Sequence, residues 1–509
     1  MNTLKNLRDS KNLDRDLYKK LKPRGSQPAR LYGLAKVHKK EVTVRPVLSM
    51  PGSCYYKVAV QVAEWLSVVD ECKINSSTEQ ISNMIKSVRL EEYEELVSFD
   101  IVSLYTNVPV LEAIHVCAEL LYSGKYQKSP VDKETFIALA KISSCDVLML
   151  TQDGYYRQID GLAMGSPPAP HLANGWLSQF DKKIKGEARI FPRYMDDTIR
   201  EIKKDLKQGI LEELNGLHPS LKFTMEEQDE KGQLPMLDMK LVNEQGILSS
   251  TWYNKPTDTG LIINYHSLAP KRYKRSVVSG FVFRIYRACS NWKNFHESLN
   301  KAKKVLEGNQ FPPDFYEPII RKALEDILLK TRKPQEPETP QETEDKERAE
   351  KIKVEKRLLF VQYRGKASED FARALHKIEA PCTPVFTMRK LKSVLPSLKP
   401  TVERLCRGSV VYKLNCPRCS ACYVGQTDRH FSTRLNEHQK NKSQPVYRHF
   451  EACGVKLEEK DTEFLASTTR GVTFLETLEA LWIEELKPGI NTKEEYKQRQ
   501  LTIRLSSGF

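Results

Sequence analysis

The sequence predicts an α+β multidomain protein, and three observations support that fold class. At 509 residues the chain is too long for a single hydrophobic core. Short apolar runs typical of strands alternate with segments in which apolar residues recur at helical spacing. Residues 331–350 interrupt both patterns with three prolines, seven acidic side chains and one apolar residue. Such a segment buries too little surface to offset its ordering entropy, so we expect a linker there.

The composition favours a nucleic-acid partner. The chain has 81 Lys and Arg against 66 Asp and Glu, a net charge of +15 and a pI near 9.1. Cations that neutralise phosphates release condensed counterions, although the charge alone also fits a solvated basic surface. The first twenty residues lack the apolar stretch of a signal peptide. No apolar run approaches the ~18 residues of a membrane span, so we expect no membrane partner.

The first half of the chain predicts a sheet with helices on one face. Apolar runs and period-2 alternation indicate strands, and recurrence at three and four residues indicates helices. The predicted elements, in order, are a buried strand at 96–101, a helix after Pro109, a hairpin formed by 190–191 and 198–199, a helix at 201–214, and a strand pair at 237–241 and 246–252.

Three aspartates form the first candidate site. Asp100 ends the strand at 96–101, and Asp196 and Asp197 lie at the tip of the predicted hairpin. Because adjacent strand residues point to opposite faces, we expect Asp196 to be the principal metal ligand and Asp197 to be a turn acid. Mg²⁺ prefers oxygen ligands, and nucleotidyl transfer uses two divalent ions about 4 Å apart. The pattern therefore predicts a site for two Mg²⁺ ions.

The order of three motifs resembles motifs A, B and C of reverse transcriptases. They are 98–100 (SFD), 158–170 (QIDGLAMGSPPAP) and 194–197 (YMDD). The resemblance implies a right-hand polymerase fold of fingers, palm and thumb, with an RNA template, a DNA primer and dNTPs as partners. It also implies that Tyr105 is a steric gate against the 2′ hydroxyl and that Gly165 allows close approach of backbone to the nucleotide.

Flanking segments extend this resemblance. Residues 32–39 (YGLAKVHK) and 45–47 (RPV) are similar to the fingers of these enzymes, which makes Lys36 and Arg45 candidates for binding the triphosphate. The segments 234–238, 253–259 and 264–267 resemble Penelope-like retroelement reverse transcriptases, a group related to telomerase. The following basic run is expected to contact template–primer phosphates or to act as a nuclear-import signal, and it comprises Lys271, Arg272, Lys274 and Arg275.

The C-terminal segment resembles the GIY-YIG nuclease that Penelope-like elements carry after their polymerase. The resemblance starts from 410–412 (VVY) and 423–425 (YVG), in which Val410 stands in place of a glycine and Val424 in place of an isoleucine. It implies a small α/β domain that nicks target DNA with one Mg²⁺. The implied catalytic set is Tyr412 and Tyr423 as base and positioner, Arg434 as phosphate clamp, Glu476 as metal ligand, and His438 and Asn491 completing the site.

A cysteine cluster lies between the two tyrosines. Cys416 and Cys419 form a Cys-x-x-Cys turn that fits tetrahedral Zn²⁺. His449 and Cys453 have suitable spacing to complete the site, and Cys422 is a competing ligand. The alternative is a hairpin with free cysteines.

These interpretations combine into one domain organisation. The predicted parts are fingers at 1–90, with a shorter N-terminus than in the family, palm at 91–255, thumb at 256–330, a linker at 331–350, a basic helical connector at 351–404, a GIY-YIG nuclease domain at 405–495 and a tail at 496–509.

The predicted function is target-primed reverse transcription in the nucleus, with nicking by the nuclease and extension by the polymerase. The alternative is a decayed element copy acting as a non-catalytic RNA-binding protein. An RNA-dependent RNA polymerase is disfavoured by Tyr105 and by the YMDD motif. The oligomeric state stays open.

Overall fold

The computed structural model describes residues 2–36, 43–70, 77–123, 131–332, 357–388, 395–468 and 471–492. Within these ranges the chain is a mixed α/β multidomain protein. Four predicted segments lie wholly or largely outside the described residues. They are the linker from 333 onward, the start of the connector to 356, residues 37–39 of the fingers motif and the tail at 496–509.

The structure contains strands and helices throughout the described ranges. The strands are β1 (Ala29–Lys36), β2 (Thr43–Ser49), β3 (Glu94–Ile101), β4 (Leu148–Leu150), β5 (Tyr155–Arg157), β6 (Arg193–Tyr194), β7 (Asp197–Lys203), β8 (Phe223–Glu227), β9 (Gln233–Met236), β10 (Met239–Glu244), β11 (Ile247–Trp252), β12 (Arg357–Gln362), β13 (Cys382–Thr387), β14 (Val410–Asn415), β15 (Cys422–Thr427) and β16 (Thr462–Ser467). The helices are α1 (Asn2–Asp9), α2 (Arg15–Leu21), α3 (Tyr56–Asp70), α4 (Thr78–Lys86), α5 (Leu104–Asn107), α6 (Val110–Leu121), α7 (Lys133–Ser144), α8 (Ala169–Leu177), α9 (Asp181–Lys185), α10 (Lys207–Asn215), α11 (Lys271–Ala288), α12 (Trp292–Gly308), α13 (Pro313–Arg332), α14 (Lys366–Lys377), α15 (Phe431–Lys440), α16 (Pro445–Ala452) and α17 (Val472–Leu486).

The chain forms two compact units, and each is assembled from separated segments. The first unit comprises Met1–Lys73, Ser103–Phe180 and Leu398–Phe509, and the second comprises Ile74–Val102 and Asp181–Ser397. The predicted domain boundaries stay predictions, because this division groups the chain differently. None of the described helices combines the length and the apolar character needed to cross a lipid bilayer.

The first unit contains two sheets. One has the order β2-β1-β4-β5, with an antiparallel β1–β2 hairpin and β4 parallel to β1. Its core is formed by apolar side chains that include Ala29, Leu48 and Met50. The other sheet has the order β15-β14-β16, is antiparallel and has helices α15, α16 and α17 around it in sequence.

The second unit is built on the sheet β6-β7-β3-β8. Strand β3 lies in its interior between β7 and β8, and Val97 and Phe99 are fully buried there. This position explains the continuous apolar run in β3, since a strand covered on both faces loses the alternating pattern. The predicted strand at 96–101 and the helix after Pro109 are both present.

A second sheet, β11-β10-β9, shares a core with the helices α11, α12 and α13. Val278, Val282 and Ile285 lie on one face of α11 at helical spacing and are fully buried. Helix α12 begins at an Asn291 cap, whose side chain accepts the backbone N–H of Asn294. The strand pair predicted at 237–241 and 246–252 is found as β10 and β11, with β10 starting two residues later.

Two predicted helical segments differ in the structure. The segment 201–214 begins as strand, because β7 continues to Lys203 and α10 starts only at Lys207. The strand is held by tertiary contacts: the Glu201 carboxylate accepts the backbone N–H groups of Arg189 and Ile190. The connector is also not simply helical, since β12 and β13 pair in parallel around α14.

Candidate active sites

The register of two strands brings the first candidate site together. Asp100 on β3 lies directly opposite Asp197 on β7. Residues directly opposite in an antiparallel pair project from the same face of the sheet, so the two carboxylates are neighbours. Tyr194 pairs with Asp197 across a two-residue turn of Met195 and Asp196, which confirms the predicted hairpin.

The three carboxylates act on one another. The pKa of Asp197 is raised to about 6, first by burial and then by the charges of Asp196 and Asp100. Lys255 opposes this shift. Two or more carboxylates in one place disfavour ionisation of each other unless a cation joins them. The donor set consists of hard oxygens only, which fits Mg²⁺.

The positions expected for the two aspartates in the hairpin are reversed. The sequence analysis placed Asp197 in the turn, whereas the structure places Asp196 in the turn and Asp197 at the first position of β7. The reason is the tightness of the loop: Met195 takes a positive φ of 57°, so two residues suffice to close the hairpin. Asp197 is therefore the strand residue in register with Asp100, and both Asp196 and Asp197 stay candidate ligands.

Tyr105, the predicted steric gate, lies near the start of Ser103–Phe180, the second chain segment of the first unit. Tyr105 is half-buried in the short helix α5, and its carbonyl accepts the N–H of Leu162 at 2.6 Å. Gly161 has a φ of 79°, and a Cβ there would lie 2.6 Å from the carbonyl oxygen of Thr106. The motif-B glycine thus lets this loop lie against the backbone of α5.

Gly165 serves a similar purpose on another side of the same loop. Its φ is 105°, and a Cβ there would collide with the carbonyl of Leu48 on β2. The adjacent Met164 carbonyl accepts the N–H of Leu48 at 2.7 Å. Within the structure Gly165 approaches protein backbone, and its contact with a nucleotide stays a prediction.

The two predicted triphosphate ligands lie on one face of the β1–β2 hairpin. Arg45 is opposite Leu34, and Lys36 is opposite Thr43. Since these positions differ by two along each strand, Lys36 and Arg45 project to the same side. Arg45 is exposed and Lys36 is half-buried.

A third cation, which the sequence analysis missed, joins this face. Lys399 donates from Nζ to Ser49 Oγ at 2.8 Å, and its Nζ lies 5.6 Å from the ring centroid of Tyr32. Tyr32 and Ser49 project from the same face of the hairpin as Lys36 and Arg45, because each is separated from them by an even number of residues along its strand. No pattern in the sequence links position 399 to a hairpin about 350 residues earlier, because the contact is purely tertiary.

The basic run on α11 is not uniform. Lys271, Arg272 and Arg275 are exposed, but Lys274 is 8% exposed. Lys274 donates from Nζ to the Ser267 carbonyl at 2.8 Å, and burial lowers its pKa. The expectation that Lys274 contacts phosphates is therefore wrong in this structure, while its three neighbours remain candidates.

The second candidate site is centred on Tyr412. This residue lies on β14, is fully buried and is directly opposite Gly425 on β15. Its hydroxyl is 2.7 Å from His438 Nε2 and accepts a hydrogen bond from Arg434 Nε at 3.0 Å. Tyr423 lies beside it with the ring centroids 6.5 Å apart. The structure thus brings Tyr412, Tyr423, Arg434 and His438 together.

The polarity of this cluster follows from the donors. Arginine only donates, so the Tyr412 oxygen accepts from Arg434 Nε, and the hydroxyl shares a second hydrogen bond with His438 Nε2. Burial and the charge of Arg434 lower the pKa of His438 to about 3, so His438 is neutral at pH 7. Burial and Tyr423 raise the pKa of Tyr412, against the effect of Arg434. Both shifts favour the uncharged forms, so a neutral Tyr412 and a neutral His438 share this hydrogen bond.

The glutamate assigned to the metal is exposed. On α17 the buried residues are Leu475, Glu479 and Ile483, whereas Glu476 faces solvent. Glu479 is 1% exposed, and its charge contributes to the raised pKa of Tyr412. A carboxylate in the middle of an apolar helical stripe was visible in the sequence, because Leu475, Glu479 and Ile483 recur every four residues. Glu479 is therefore a buried carboxylate near Tyr412 that the motifs in the sequence did not single out.

Asn491 acts on the backbone of the second tyrosine strand. Its Oδ1 accepts the N–H of Val424, and its Nδ2 donates to the carbonyl of the same residue, both at 2.9 Å. The amide of Asn491 therefore fixes β15 between Tyr423 and Gly425. This role is positional, which differs from the expected direct part in the site.

The predicted cysteine cluster is assembled in the structure. The ligand atoms of Cys416, Cys419, His449 and Cys453 all lie within 4.8 Å of one another. His449 Nε2 is 3.4 Å from Cys419 Sγ and 3.6 Å from Cys453 Sγ. Tetrahedral Zn²⁺ with Zn–S of about 2.3 Å and Zn–N of about 2.0 Å requires roughly 3.5 Å between such ligands. The donor set and its spacing fit a metal ion.

Backbone hydrogen bonds favour the thiolate form of one ligand in this cluster, Cys416. Burial opposes ionisation of Cys416, but hydrogen bonds from the backbone of Arg418 and Cys419 lower its pKa to about 6. The thiolate is the form that binds metal. Cys422 lies on β15 opposite Asn415 and is not among the four clustered ligands.

The fold is similar to several solved polymerase structures. Telomerase from Candida albicans, solved with a TWJ fragment of telomeric RNA, is 14% identical with a TM-score of 0.41, covering 60% of this chain and 58% of that chain. Telomerase from Candida tropicalis, solved with the same kind of fragment, is 14% identical with a TM-score of 0.34, covering 56% and 55%. The Sicinivirus 3Dpol RNA-dependent RNA polymerase is 9% identical with a TM-score of 0.35, covering 62% and 71%. The chain therefore spans less than two thirds of the telomerase chains.

One family description matches part of the sequence. The animal helix-turn-helix domain matches residues 261–321, which include α11, α12 and the start of α13. A comparison with curated proteins finds no match.

Proposed function

We propose that the chain is an RNA-directed DNA polymerase of the Penelope-like retroelement type. The single observation that supports this most strongly is the register that sets Asp100 opposite Asp197, with Asp196 in the adjoining turn. Three carboxylates from separate parts of the sequence converge at one edge of a sheet. Metal-dependent nucleotidyl transfer requires such a set of oxygen ligands on rigid elements.

The residues divide the work of nucleotide addition. Asp100, Asp196 and Asp197 would hold two Mg²⁺ ions, which supply activation of the primer 3′ hydroxyl and neutralisation of phosphate charge. Lys36 and Arg45 offer cations from one hairpin face for the triphosphate. The Tyr105 ring excludes a 2′ hydroxyl and so selects deoxynucleotides. The RNA template, the DNA primer and dNTPs are the proposed partners.

The polymerase proposal is tested by extension of a DNA primer on an RNA template with purified protein, Mg²⁺ and dNTPs. Asp197→Asn is expected to lower extension by at least about 100-fold, because it removes a direct ligand. Asp205→Asn makes the same chemical change at an exposed site of the same unit and is the matched control. Salt-sensitive RNA binding without metal-dependent extension would instead support the non-catalytic RNA-binding protein.

We further propose that residues 405–495 form a GIY-YIG-type nuclease that nicks target DNA, so that the polymerase extends the exposed 3′ end. The hydrogen-bonded set of Arg434, Tyr412 and His438 supports this. In the proposed site Tyr412, with His438 as its hydrogen-bond partner, is the base that activates water, and Arg434 stabilises the phosphate. We assign the divalent cation to the buried Glu479 rather than to the exposed Glu476. The site of action is then the nucleus, where target DNA lies.

The nuclease proposal is tested by nicking of supercoiled plasmid DNA. Glu479→Gln is expected to abolish nicking while primer extension is retained, because a neutral amide replaces a carboxylate of equal size. Glu476→Gln on the same helix is the matched control and is expected to nick normally. Loss of nicking in Glu476→Gln with normal activity in Glu479→Gln would reverse the assignment.

A further inference from the structure

The hairpin that carries Asp196 and Asp197 rests on a buried ion pair. Arg193 on β6 is fully buried and donates from Nε and Nη2 to the two carboxylate oxygens of Asp181 at 2.6 and 2.9 Å. Asp181 is the first residue of α9 and is 6% exposed. A bidentate pair of this kind fixes the plane of the guanidinium as well as its position.

Arg193 also contacts the turn itself. Its remaining nitrogen, Nη1, donates to the carbonyl oxygen of Met195 at 3.2 Å. Met195 has a φ of 57°, a conformation that side chains other than glycine rarely adopt. The residue with the strained backbone is thus the one whose carbonyl Arg193 holds, and it directly precedes Asp196.

A second arginine connects the other strand of the hairpin to the same helix. Arg200 on β7 donates from Nη1 to the carbonyl of Ile184 at 2.7 Å. Helix α9 therefore contacts β6 through Arg193 and β7 through Arg200. Both strands of the hairpin are tied to a single short helix.

We propose that Arg193 and Asp181 are positioning residues that hold the turn of Met195 and Asp196 in its metal-binding conformation. This inference rests on the proposed role of the three aspartates as metal ligands. A buried ion pair adds little stability over apolar side chains of similar volume, so its specific geometry is the better reason for its presence. Without Arg193 the strained turn relaxes and Asp196 moves away from Asp100 and Asp197, which the strand register keeps opposite each other.

The test separates positioning from simple stabilisation. Removing one partner leaves a buried unpaired charge and destabilises the fold, so the informative variant is D181N/R193Q, which is neutral at both positions. Mn²⁺ binding to the full chain is measured by electron paramagnetic resonance. The binding attributed to the site is the part that is lost in Asp197→Asn. Thermal unfolding is followed in parallel. We expect a near-normal Tm with Mn²⁺ affinity weakened about tenfold.

Each outcome decides the inference. Normal Mn²⁺ affinity in a stable D181N/R193Q protein would overturn it, because the pair would then be only structural. If that variant does not fold, Arg193→Lys keeps the charge but lacks the planar fork, and it is expected to bind Mn²⁺ several-fold more weakly. Normal affinity in Arg193→Lys would again overturn the inference. If the unsubstituted chain shows no Asp197-dependent Mn²⁺ binding, the metal site itself fails, which is a distinguishable result.

Discussion

Gly425 determines how closely β14 and β15, the strands that carry Tyr412 and Tyr423, can approach each other. A Cβ at this position would lie 2.8 Å from the Tyr412 hydroxyl and 2.6 Å from Cε1 of Tyr423. Any other residue would push the phenol away from Arg434 and His438. The motif predicts the glycine, but only the register of β14 with β15 gives its reason, since Tyr412 is directly opposite.

Burial of His438 predicts a pH dependence of stability. Its pKa is lowered to about 3 in the folded protein, against about 6.5 in an unfolded chain. Between these values only the unfolded state binds the proton, so stability falls as the pH drops below about 6.5. The slope from this group is up to about 1.4 kcal/mol per pH unit. His438→Gln is expected to flatten the dependence of Tm on pH between 7 and 4.5.

The matched control for this prediction is His376→Gln, which replaces an exposed histidine. Its Tm should follow the unsubstituted protein at every pH. Equal slopes for His438→Gln and the unsubstituted protein would show that folding does not lower the pKa of His438, which would contradict its burial in the neutral form.

At the scale of elements, α17 shows how helical phase distinguishes two glutamates. Glu476 and Glu479 are three residues apart, yet one is exposed and the other is 1% exposed. Only Glu479 shares the stripe of Leu475 and Ile483. The resemblance to a family motif implies Glu476 as the metal ligand, whereas the periodicity of the helix places Glu479 on the buried face, and the structure shows that burial.

The four clustered ligands predict that the thermal stability of this segment depends on a bound metal ion. Because Cys416 and Cys419 come from the loop and His449 from the helix, a Zn²⁺ ion would join two elements that are about 30 residues apart in the sequence. We expect one Zn²⁺ per chain by elemental analysis. Chelation, or Cys419→Ser, should lower the Tm of this segment by about 10 °C.

Cys422→Ser is the control for this prediction, since Cys422 lies outside the four clustered ligands. It should retain the metal and the Tm. Loss of Zn²⁺ in Cys422→Ser with retention in Cys453→Ser would show that the competing ligand set is the correct one.

At the scale of the whole molecule, a residue near the end of the predicted connector adds a cation to the face of the β1–β2 hairpin. Lys399 reaches Ser49 and Tyr32, on the side of the hairpin that carries Lys36 and Arg45. We expect Lys399→Ala to raise the KM for dNTPs or the Kd for template–primer by about 3- to 10-fold, with kcat little changed. Steady-state extension measures the KM for dNTPs, and filter binding measures the Kd for template–primer. The two assays therefore show whether Lys399 contacts the phosphates of the dNTP or those of the template–primer.

The control for Lys399→Ala is Lys366→Ala, which removes a lysine from the second unit, at the start of α14. It should leave both constants unchanged. If Lys399→Ala also leaves both unchanged, Lys399 only packs against Tyr32 and takes no part in phosphate binding.

The sequence did not predict that each unit is assembled from separated segments of the chain. The first unit takes three separate segments of the chain and the second takes two. Predicted boundaries follow changes in composition, such as the acidic, proline-rich run at 331–350. Segments such as 103–180 have no change in composition at their ends, because their assignment depends on long-range packing.

The sequence by itself determined the elements whose signal is local. These are the strand β3, the helix α6, the hairpin around YMDD, the four clustered zinc-ligand candidates and the tyrosine pair. Tertiary structure alone decided three matters: which aspartate pairs with Asp100, that Arg193 is held by Asp181, and that Lys399 joins the β1–β2 face. Apolar periodicity is read over a few residues, whereas register, burial of a charge and contacts across hundreds of residues arise only when the chain packs.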